Sequence, residues 1–87
     1  LFQTIKDRQK AMPKGSYTAK LFKDGIEKIS QKVGEEAVET VIGGVKNNKE
    51  ETIYEMADLW YHCLVLLAAM DLAPEDVYKE LKKRFKK

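Results

Sequence analysis

The chain contains few of the residues that form covalent cross-links or zinc sites. Among its 87 residues there is one cysteine, Cys63, and one histidine, His62. A single cysteine excludes an internal disulfide and indicates a reducing compartment. We interpret Cys63 as a small buried hydrophobe rather than a catalytic thiol. With so few sulfur and imidazole ligands, no zinc site of the usual Cys/His spacing can be formed.

Long apolar runs are also missing. The longest, at residues 59–67, is interrupted by His62 and is too short to span a bilayer, and no signal peptide is visible. The sequence therefore predicts a cytoplasmic protein without membrane contact. A net charge of +2 gives no indication of nucleic-acid binding. The basic residues at 82–87 are explained by a solvated last turn that complements the helix dipole, with a binding patch as the alternative.

The apolar residues recur at three- and four-residue steps, and no strand-like alternation or internal repeat is present. This spacing predicts an all-α fold of four to five helices, arranged as an antiparallel bundle in a single domain, 1–87. Ser16 is an expected N-cap, Asp24 and Glu27 match a capping box, and Pro74 suits the first turn of a helix. The predicted helices cover about residues 1–12, 16–22, 26–45, 49–70 and 75–85.

The two long predicted helices carry more apolar surface than a small chain can cover. The helix after Asn47-Asn48 is apolar nearly all round in its second half. The sequence therefore predicts a homodimer formed through this helix. The preceding helix has an apolar stripe and a second apolar edge, which suggests more than one neighbour. The stripe consists of Ile29, Val33, Ala37, Val41 and Val45, and the second edge of Val38 and Ile42.

Carboxylates are clustered on both long helices. Residues 35–39 have the pattern E-E-x-x-E and residues 55–58 the pattern E-x-x-D. At these spacings the side chains share a helix face, and each like-charged pair costs roughly 0.2–0.5 kcal/mol. A cation bound between the two clusters would make the closeness of the carboxylates stabilising. The alternative is a solvated acidic face with no ligand.

The short turn at Asn47-Asn48 predicts that the two acidic clusters meet. Because Glu39 and Glu55 lie about two turns from it on either side, antiparallel packing places them at similar heights. Glu36 and Asp58 then pair one turn further out, with Glu35 beside them. An all-oxygen ligand set suits Mg²⁺, with Mn²⁺ as a possible substitute.

Basic residues just upstream favour a phosphate-bearing substrate. Lys20, Lys28 and Lys32 are the candidates, and Lys32 precedes Glu36 by one helical turn. Read singly, each lysine is a surface charge. His62 follows Asp58 by one turn, and two interpretations stay open: a substrate or carboxylate contact, or a hydrogen-bonded core histidine.

Three segments together closely resemble the phosphoribosyl-ATP pyrophosphohydrolase family, within the all-α NTP pyrophosphohydrolase (MazG-like) superfamily. They are SYTAKLF at 16–22, KVGEEAVE at 32–39 and EMADLWYH at 55–62. The acidic pattern alone is typical of the superfamily, whereas the other residues are specific to the family. The resemblance covers nearly the whole chain and is to the stand-alone form of the enzyme.

The resemblance implies Mg²⁺-dependent hydrolysis of 1-(5-phosphoribosyl)-ATP to 1-(5-phosphoribosyl)-AMP and pyrophosphate, the second step of histidine biosynthesis. The alternatives are a MazG-like pyrophosphatase for dUTP, dCTP or non-standard NTPs, and a helical protein-interaction module. The implied metal ligands are Glu36, Glu39, Glu55 and Asp58. The implied catalytic acids are Glu35, Glu36 and Glu39. The expected substrate-binding residues are Ser16, Tyr17, Thr18, Lys20, Lys28, Lys32 and His62.

Overall fold

The helix-period pattern of the sequence is realised along almost its whole length. A computed structural model describes residues 1–86, and within that range every regular element is an α-helix, as predicted. The expectation of four to five helices is confirmed by five. They are α1 (Phe2–Ala11), α2 (Tyr17–Asp24), α3 (Ile26–Val45), α4 (Lys49–Ala69) and α5 (Pro74–Arg84).

Local capping residues set three of the helix starts where the sequence predicts them. The Ser16 hydroxyl accepts a hydrogen bond from the Ala19 N–H at 3.1 Å, which satisfies a free donor at the start of α2. The Asn48 side chain does the same for the Glu51 N–H at 3.0 Å at the start of α4. Pro74 is the first residue of α5, where its missing N–H costs nothing.

The capping box predicted at Asp24 and Glu27 is wrong. Asp24 is the last residue of α2, and its carboxylate accepts a hydrogen bond from the Lys20 ammonium at 3.0 Å. Gly25 separates α2 from α3 with a φ of 98°, a left-handed conformation that glycine adopts without strain. Glycine has no side chain for capping, so α3 begins without a side-chain cap.

The core lies at one end of the α3–α4 pair, where α1 and α2 pack against it. The α3–α4 interface is the most extensive in the protein, and α1 and α2 contact each other as well as the long helices. The buried apolar side chains at this end are Ile5, Leu21, Ile29, Val65 and Ala68. The other end, near the turn between α3 and α4, consists of those two helices alone.

The packed face of α3 differs from the predicted apolar stripe. Its buried residues are Ile29, Glu36 and Gly43, spaced by seven residues, a period that keeps one face against a neighbouring helix. Val41 and Val45, which belong to the predicted stripe, are 62% and 81% exposed. The stripe therefore turns outward along its second half, and Glu36, which was expected to lie off the main stripe, lies on the packed face.

Helix α5 extends away from the rest of the chain. Its axis is bent by 106° from that of α4, and none of its residues is buried within the described chain. Its narrow apolar stripe of Val77, Leu81 and Phe85 is exposed. No single described helix is long and apolar enough to cross a membrane, although the bent pair of α4 and α5 passes a test of length and composition.

Gly43 permits the close approach of α3 and α4 beside their connecting turn. A Cβ atom at this position would lie 3.0 Å from the Thr52 hydroxyl oxygen and 3.2 Å from the Thr52 main-chain N and Cα atoms. Real Cβ contacts are seldom this short, and the main chain of α4 cannot rotate away as a side chain can. The adjacent Gly44 has open space at the same position.

We predict that Gly43→Ala lowers the free energy of unfolding by about 1–3 kcal/mol, because the added methyl group forces the helices apart. Gly44→Ala is the matched control and is expected to be neutral or to stabilise the fold by up to about 1 kcal/mol, because alanine favours a helix. Urea denaturation followed by circular dichroism measures both. Equal stability of the two variants would contradict the packing described for Gly43.

Candidate active site

The antiparallel packing of α3 and α4 gathers three carboxylates, which we call the acidic cluster: Glu36, Glu55 and Asp58. One carboxylate oxygen from each lies within 4.8 Å of one from each of the others. Glu36 is only 8% exposed, and the other two are half-buried. One cation placed among these oxygens could contact all three residues. Their role as metal ligands stays a prediction, but their convergence is a feature of the fold.

The fourth predicted ligand, Glu39, lies beside the acidic cluster rather than in it. Glu39 is exposed, and among the described residues it does not belong to the group of mutually close carboxylates. Its charge nevertheless acts on Glu55. Because Glu39 is one turn nearer the connecting turn than Glu36, it lies at the rim of the cluster.

Glu55 is under repulsion from the neighbouring carboxylates. Partial desolvation raises the pKa of Glu55, and the negative charges of Glu36, Glu39, Asp58 and Glu51 raise it further. The negative charges of four carboxylates, on both α3 and α4, thus help to raise the pKa of Glu55. The cluster is therefore a region of concentrated negative potential, which a bound cation would relieve.

Lys32 and Glu35 form a charged edge next to the acidic cluster. The Lys32 ammonium lies 3.3 Å from a Glu35 carboxylate oxygen and 3.9 Å from one of Glu36. Glu35 also accepts a hydrogen bond from the Gln31 amide at 2.8 Å, and this bond and Lys32 lower the pKa of Glu35. Burial lowers the pKa of Lys32, but the hydrogen bond to Glu35 and the negative charges of Glu35 and Glu36 contribute to an overall rise.

The other two predicted lysines differ in position. Lys28 is exposed and close enough for its charge to help lower the pKa of Glu35. Lys20 is exposed and paired with Asp24, the last residue of α2. The structure brings Lys32, and more loosely Lys28, to the acidic cluster, and substrate binding by Lys20 stays a prediction.

An aromatic network connects α2 to α4 behind the acidic cluster. His62 is buried, with its Nδ1 atom 2.7 Å from the main-chain oxygen of Asp58 and its Nε2 atom 3.0 Å from the Tyr17 hydroxyl. The Tyr61 hydroxyl is hydrogen-bonded to the buried Thr18 hydroxyl, and the Tyr17 and Tyr61 rings are stacked. His62 is therefore a buried, hydrogen-bonded histidine, and its contact with a substrate or a carboxylate stays a prediction.

The remaining predicted residues take mainly structural positions. The Ser16 hydroxyl is occupied as the N-cap of α2, and Thr18 is buried against Tyr61. Cys63 is partly buried rather than fully buried, and desolvation raises the pKa of its thiol, which disfavours a nucleophilic thiolate. Tyr17 is 49% exposed, and its hydroxyl is bonded to His62 beside the acidic cluster.

Two residues that complete the site were missed from the sequence, Tyr61 and Gln31. Each had a detectable signal in its spacing. Tyr61 follows Asp58 by three residues, and Gln31 precedes Glu35 by four, so each shares a helix face with an acid already identified.

We predict that Glu55→Gln raises the melting temperature of the metal-free protein at neutral pH. A carboxyl whose pKa is raised on folding contributes stability that is complete below its unfolded pKa and is lost as the pH rises through the folded pKa. The advantage of the variant should therefore shrink as the pH is lowered through that value. Thermal melts in a chelator across pH 4–8 (roughly the range in which a raised glutamate titrates) measure this.

The control for Glu55→Gln is Glu50→Gln, in the first turn of α4, where a negative charge favours the helix dipole. It should leave the melting temperature unchanged or slightly lower. A lower melting temperature for Glu55→Gln than for the parent protein at neutral pH would show that the cluster is not under repulsion.

Comparison with known proteins indicates one family. The family model for phosphoribosyl-ATP pyrophosphohydrolase matches residues 1–85. The chain is 54% identical to the phosphoribosyl-ATP pyrophosphatase of Geobacter sulfurreducens, over 98% of this chain and 79% of that protein. It is 48% identical to the phosphoribosyl-ATP pyrophosphatase of Saccharolobus solfataricus, over 99% and 92%. It is 46% identical to a histidine biosynthesis bifunctional protein of Thermotoga maritima, over 99% of this chain and 44% of that protein. The chain therefore belongs to the phosphoribosyl-ATP pyrophosphohydrolase family.

Proposed function

We propose that this protein hydrolyses 1-(5-phosphoribosyl)-ATP to 1-(5-phosphoribosyl)-AMP and pyrophosphate, in the second step of histidine biosynthesis, and that it does so in the cytoplasm. The observation that carries the proposal is the acidic cluster formed by Glu36, Glu55 and Asp58 beside Lys32. Carboxylates and a lysine in contact form a site suited to a cation and a polyphosphate together. The family membership of the chain selects the substrate.

The acidic cluster fits Mg²⁺, or Mn²⁺ in its place. Its donors are all carboxylate oxygens, which hard cations prefer. Partial desolvation, together with the neighbouring carboxylates, raises the pKa of Glu55. Glu36, Glu55 and Asp58 would hold the ion, with Glu39 available from the rim. When bound, the cation supplies a Lewis acid that neutralises phosphate charge and lowers the pKa of a bound water.

The residues around the cluster bind the substrate phosphates and activate the attacking water. Lys32 presents an ammonium group that is held by Glu35 and Glu36, so it is positioned to bind a phosphate oxygen of the substrate. Lys28 adds positive charge at the same edge. The lowered pKa of Glu35 makes its carboxylate a poor base. We therefore assign it to holding Lys32, and assign the orientation and deprotonation of the attacking water to Glu36 or Glu39.

We predict that Asp58→Asn reduces Mg²⁺-dependent pyrophosphate release from phosphoribosyl-ATP by about 100-fold or more, because the variant loses a charged ligand of the acidic cluster. Asp71→Asn is the matched control, since Asp71 follows α4 outside the cluster and asparagine tolerates its left-handed backbone. Circular dichroism checks that both variants fold.

Three results would contradict the proposed function or its site. Wild-type-like turnover by Asp58→Asn would show that the acidic cluster is not the active site. Faster hydrolysis of dUTP, dCTP or a non-standard NTP than of phosphoribosyl-ATP would favour the MazG-like alternative. Absence of cation binding by calorimetry together with absence of turnover would favour the interaction module.

We also propose that the protein is a homodimer. Each long helix has an apolar face turned away from its partner helix, and α5 makes no extensive contact within its own chain. Residues three, four and seven apart share a helix face, so each set below forms a continuous strip. The exposed strip of α3 is Val38, Val41, Ile42 and Val45, and that of α4 is Ile53, Met56 and Trp60. A second copy of the chain, presenting the same apolar faces, would cover them.

We predict that sedimentation at micromolar concentration gives the mass of two chains and that Trp60→Lys gives the mass of one, because a charge in the covered strip cannot be desolvated cheaply. Leu1→Lys is the control, since Leu1 is exposed and apolar but lies outside both strips. A monomeric parent protein, or a dimeric Trp60→Lys variant, would contradict this assignment.

A further inference from the structure

The hydrogen bonds of His62 indicate which of its ring nitrogens donates a hydrogen and which accepts one beside the acidic cluster. His62 is 3% exposed and uses both ring nitrogens. The main-chain oxygen of Asp58 can only accept, so Nδ1 carries the hydrogen that it receives at 2.7 Å. In the neutral form of the ring, on which the proposal below depends, Nε2 is an acceptor, and the Tyr17 hydroxyl donates its hydrogen to it at 3.0 Å.

This arrangement leaves Tyr17 as a hydrogen-bond acceptor at the rim of the site. A tyrosine hydroxyl has one hydrogen, and Tyr17 donates it to His62. The side chain is nevertheless half-exposed, and its ring is fixed by stacking on Tyr61. The Tyr17 hydroxyl lies 3.0 Å from His62 Nε2, and His62 is bonded to the main-chain oxygen of Asp58, so the hydroxyl lies next to the acidic cluster. The charges of Lys32, Asp58 and Glu36 act on it as well.

We propose that Tyr17 positions the substrate by accepting a hydrogen bond from a hydroxyl or amino group of the nucleotide, not by binding its phosphates, and that His62 is the positioning residue that fixes this role. The inference rests on the proposed function and deepens it. The proposed site has two parts. The acidic cluster and Lys32 bind the polyphosphate, and Tyr17 accepts a hydrogen bond from the ribose or base portion next to it.

The chemistry of the hydroxyl excludes the simpler alternative of a phosphate contact. A phosphate oxygen is an acceptor, and an oxygen whose only hydrogen is already donated presents lone pairs to it. The negative charges of Glu36 and Asp58 nearby add to this repulsion. A ribose hydroxyl or an amino group has a hydrogen to donate, so it completes the bonding of Tyr17 that the protein leaves open.

The first test compares two probes on Tyr17→Phe, which keeps the ring and removes the oxygen. The KM for phosphoribosyl-ATP should rise about three- to tenfold, as expected for one lost neutral hydrogen bond, with a smaller change in kcat. The affinity for magnesium tripolyphosphate, measured by calorimetry, should not change, because this probe has phosphates but no hydroxyl or amino donor. Equal loss for both probes, or loss for neither, would overturn the proposal.

The second test separates the two hydrogen bonds of His62. In His62→Gln the amide oxygen can reach the place of Nε2 and accept from Tyr17, whereas in His62→Asn the amide can donate to Asp58 but does not reach Tyr17. We expect His62→Asn to reproduce the raised KM of Tyr17→Phe and His62→Gln to retain a KM close to that of the parent protein. The reverse order would overturn the role assigned to His62.

A readout independent of activity is available because the chain has one histidine. Nitrogen-15 spectra of the labelled protein should show the Nδ1–H tautomer in the parent protein and a shifted Nε2 resonance in Tyr17→Phe. An Nε2–H tautomer would overturn the proposal even if the enzyme is active. Failure of the parent protein to turn over phosphoribosyl-ATP would instead remove the proposed function, a result that the tautomer does not affect.

Discussion

The repulsion among carboxylates that α3 and α4 force together is the interaction on which the site depends. Glu36 is buried on the face of α3 that packs against α4, where a globular protein usually has an apolar side chain. Glu55 and Asp58 approach it from α4. The fold tolerates this because Lys32 neutralises part of the charge and because the rest of the cluster is open to solvent and to a cation. In the proposed function, a bound cation would offset this cost in stability.

The acidic cluster is held between two different kinds of packing. At one end, Ile29 belongs to the apolar core formed with α1 and α2. At the other end, Gly43 allows the main chains of α3 and α4 to come into contact at Thr52. Glu36 lies seven residues from each, so both ends fix its height and its direction. A site between two anchored ends keeps its carboxylates close without needing each to be buried by neighbours of its own.

Much of the fold follows from local interactions that can be predicted from the sequence. Ser16, Asn48 and Pro74 begin their helices where capping and proline chemistry require, and the short turn at Asn47-Asn48 predicts the antiparallel pair. The convergence of Glu36 with Asp58 follows from counting residues on either side of that turn. These features depend on residues close together in the chain, and sequence spacing describes them well.

The features that the sequence did not show depend on distant contacts or on competing local choices. The carboxylate of Asp24 was expected to cap α3, but it is bonded to Lys20 instead. Gly25 provides the break between α2 and α3. The bond between Tyr17 and His62 joins residues 45 positions apart, so no local spacing indicates it. The outward turn of Val41 could not be recognised either, because an apolar stripe looks the same whether it faces its own chain or a second one.

The most direct test of the central claim is a crystal structure of the protein grown with Mn²⁺, with anomalous scattering measured at the manganese absorption edge. The account predicts one strong anomalous peak among the carboxylates of Glu36, Glu55 and Asp58, and no peak there in Asp58→Asn. A parent protein with full manganese occupancy elsewhere, or with none between α3 and α4, would contradict it.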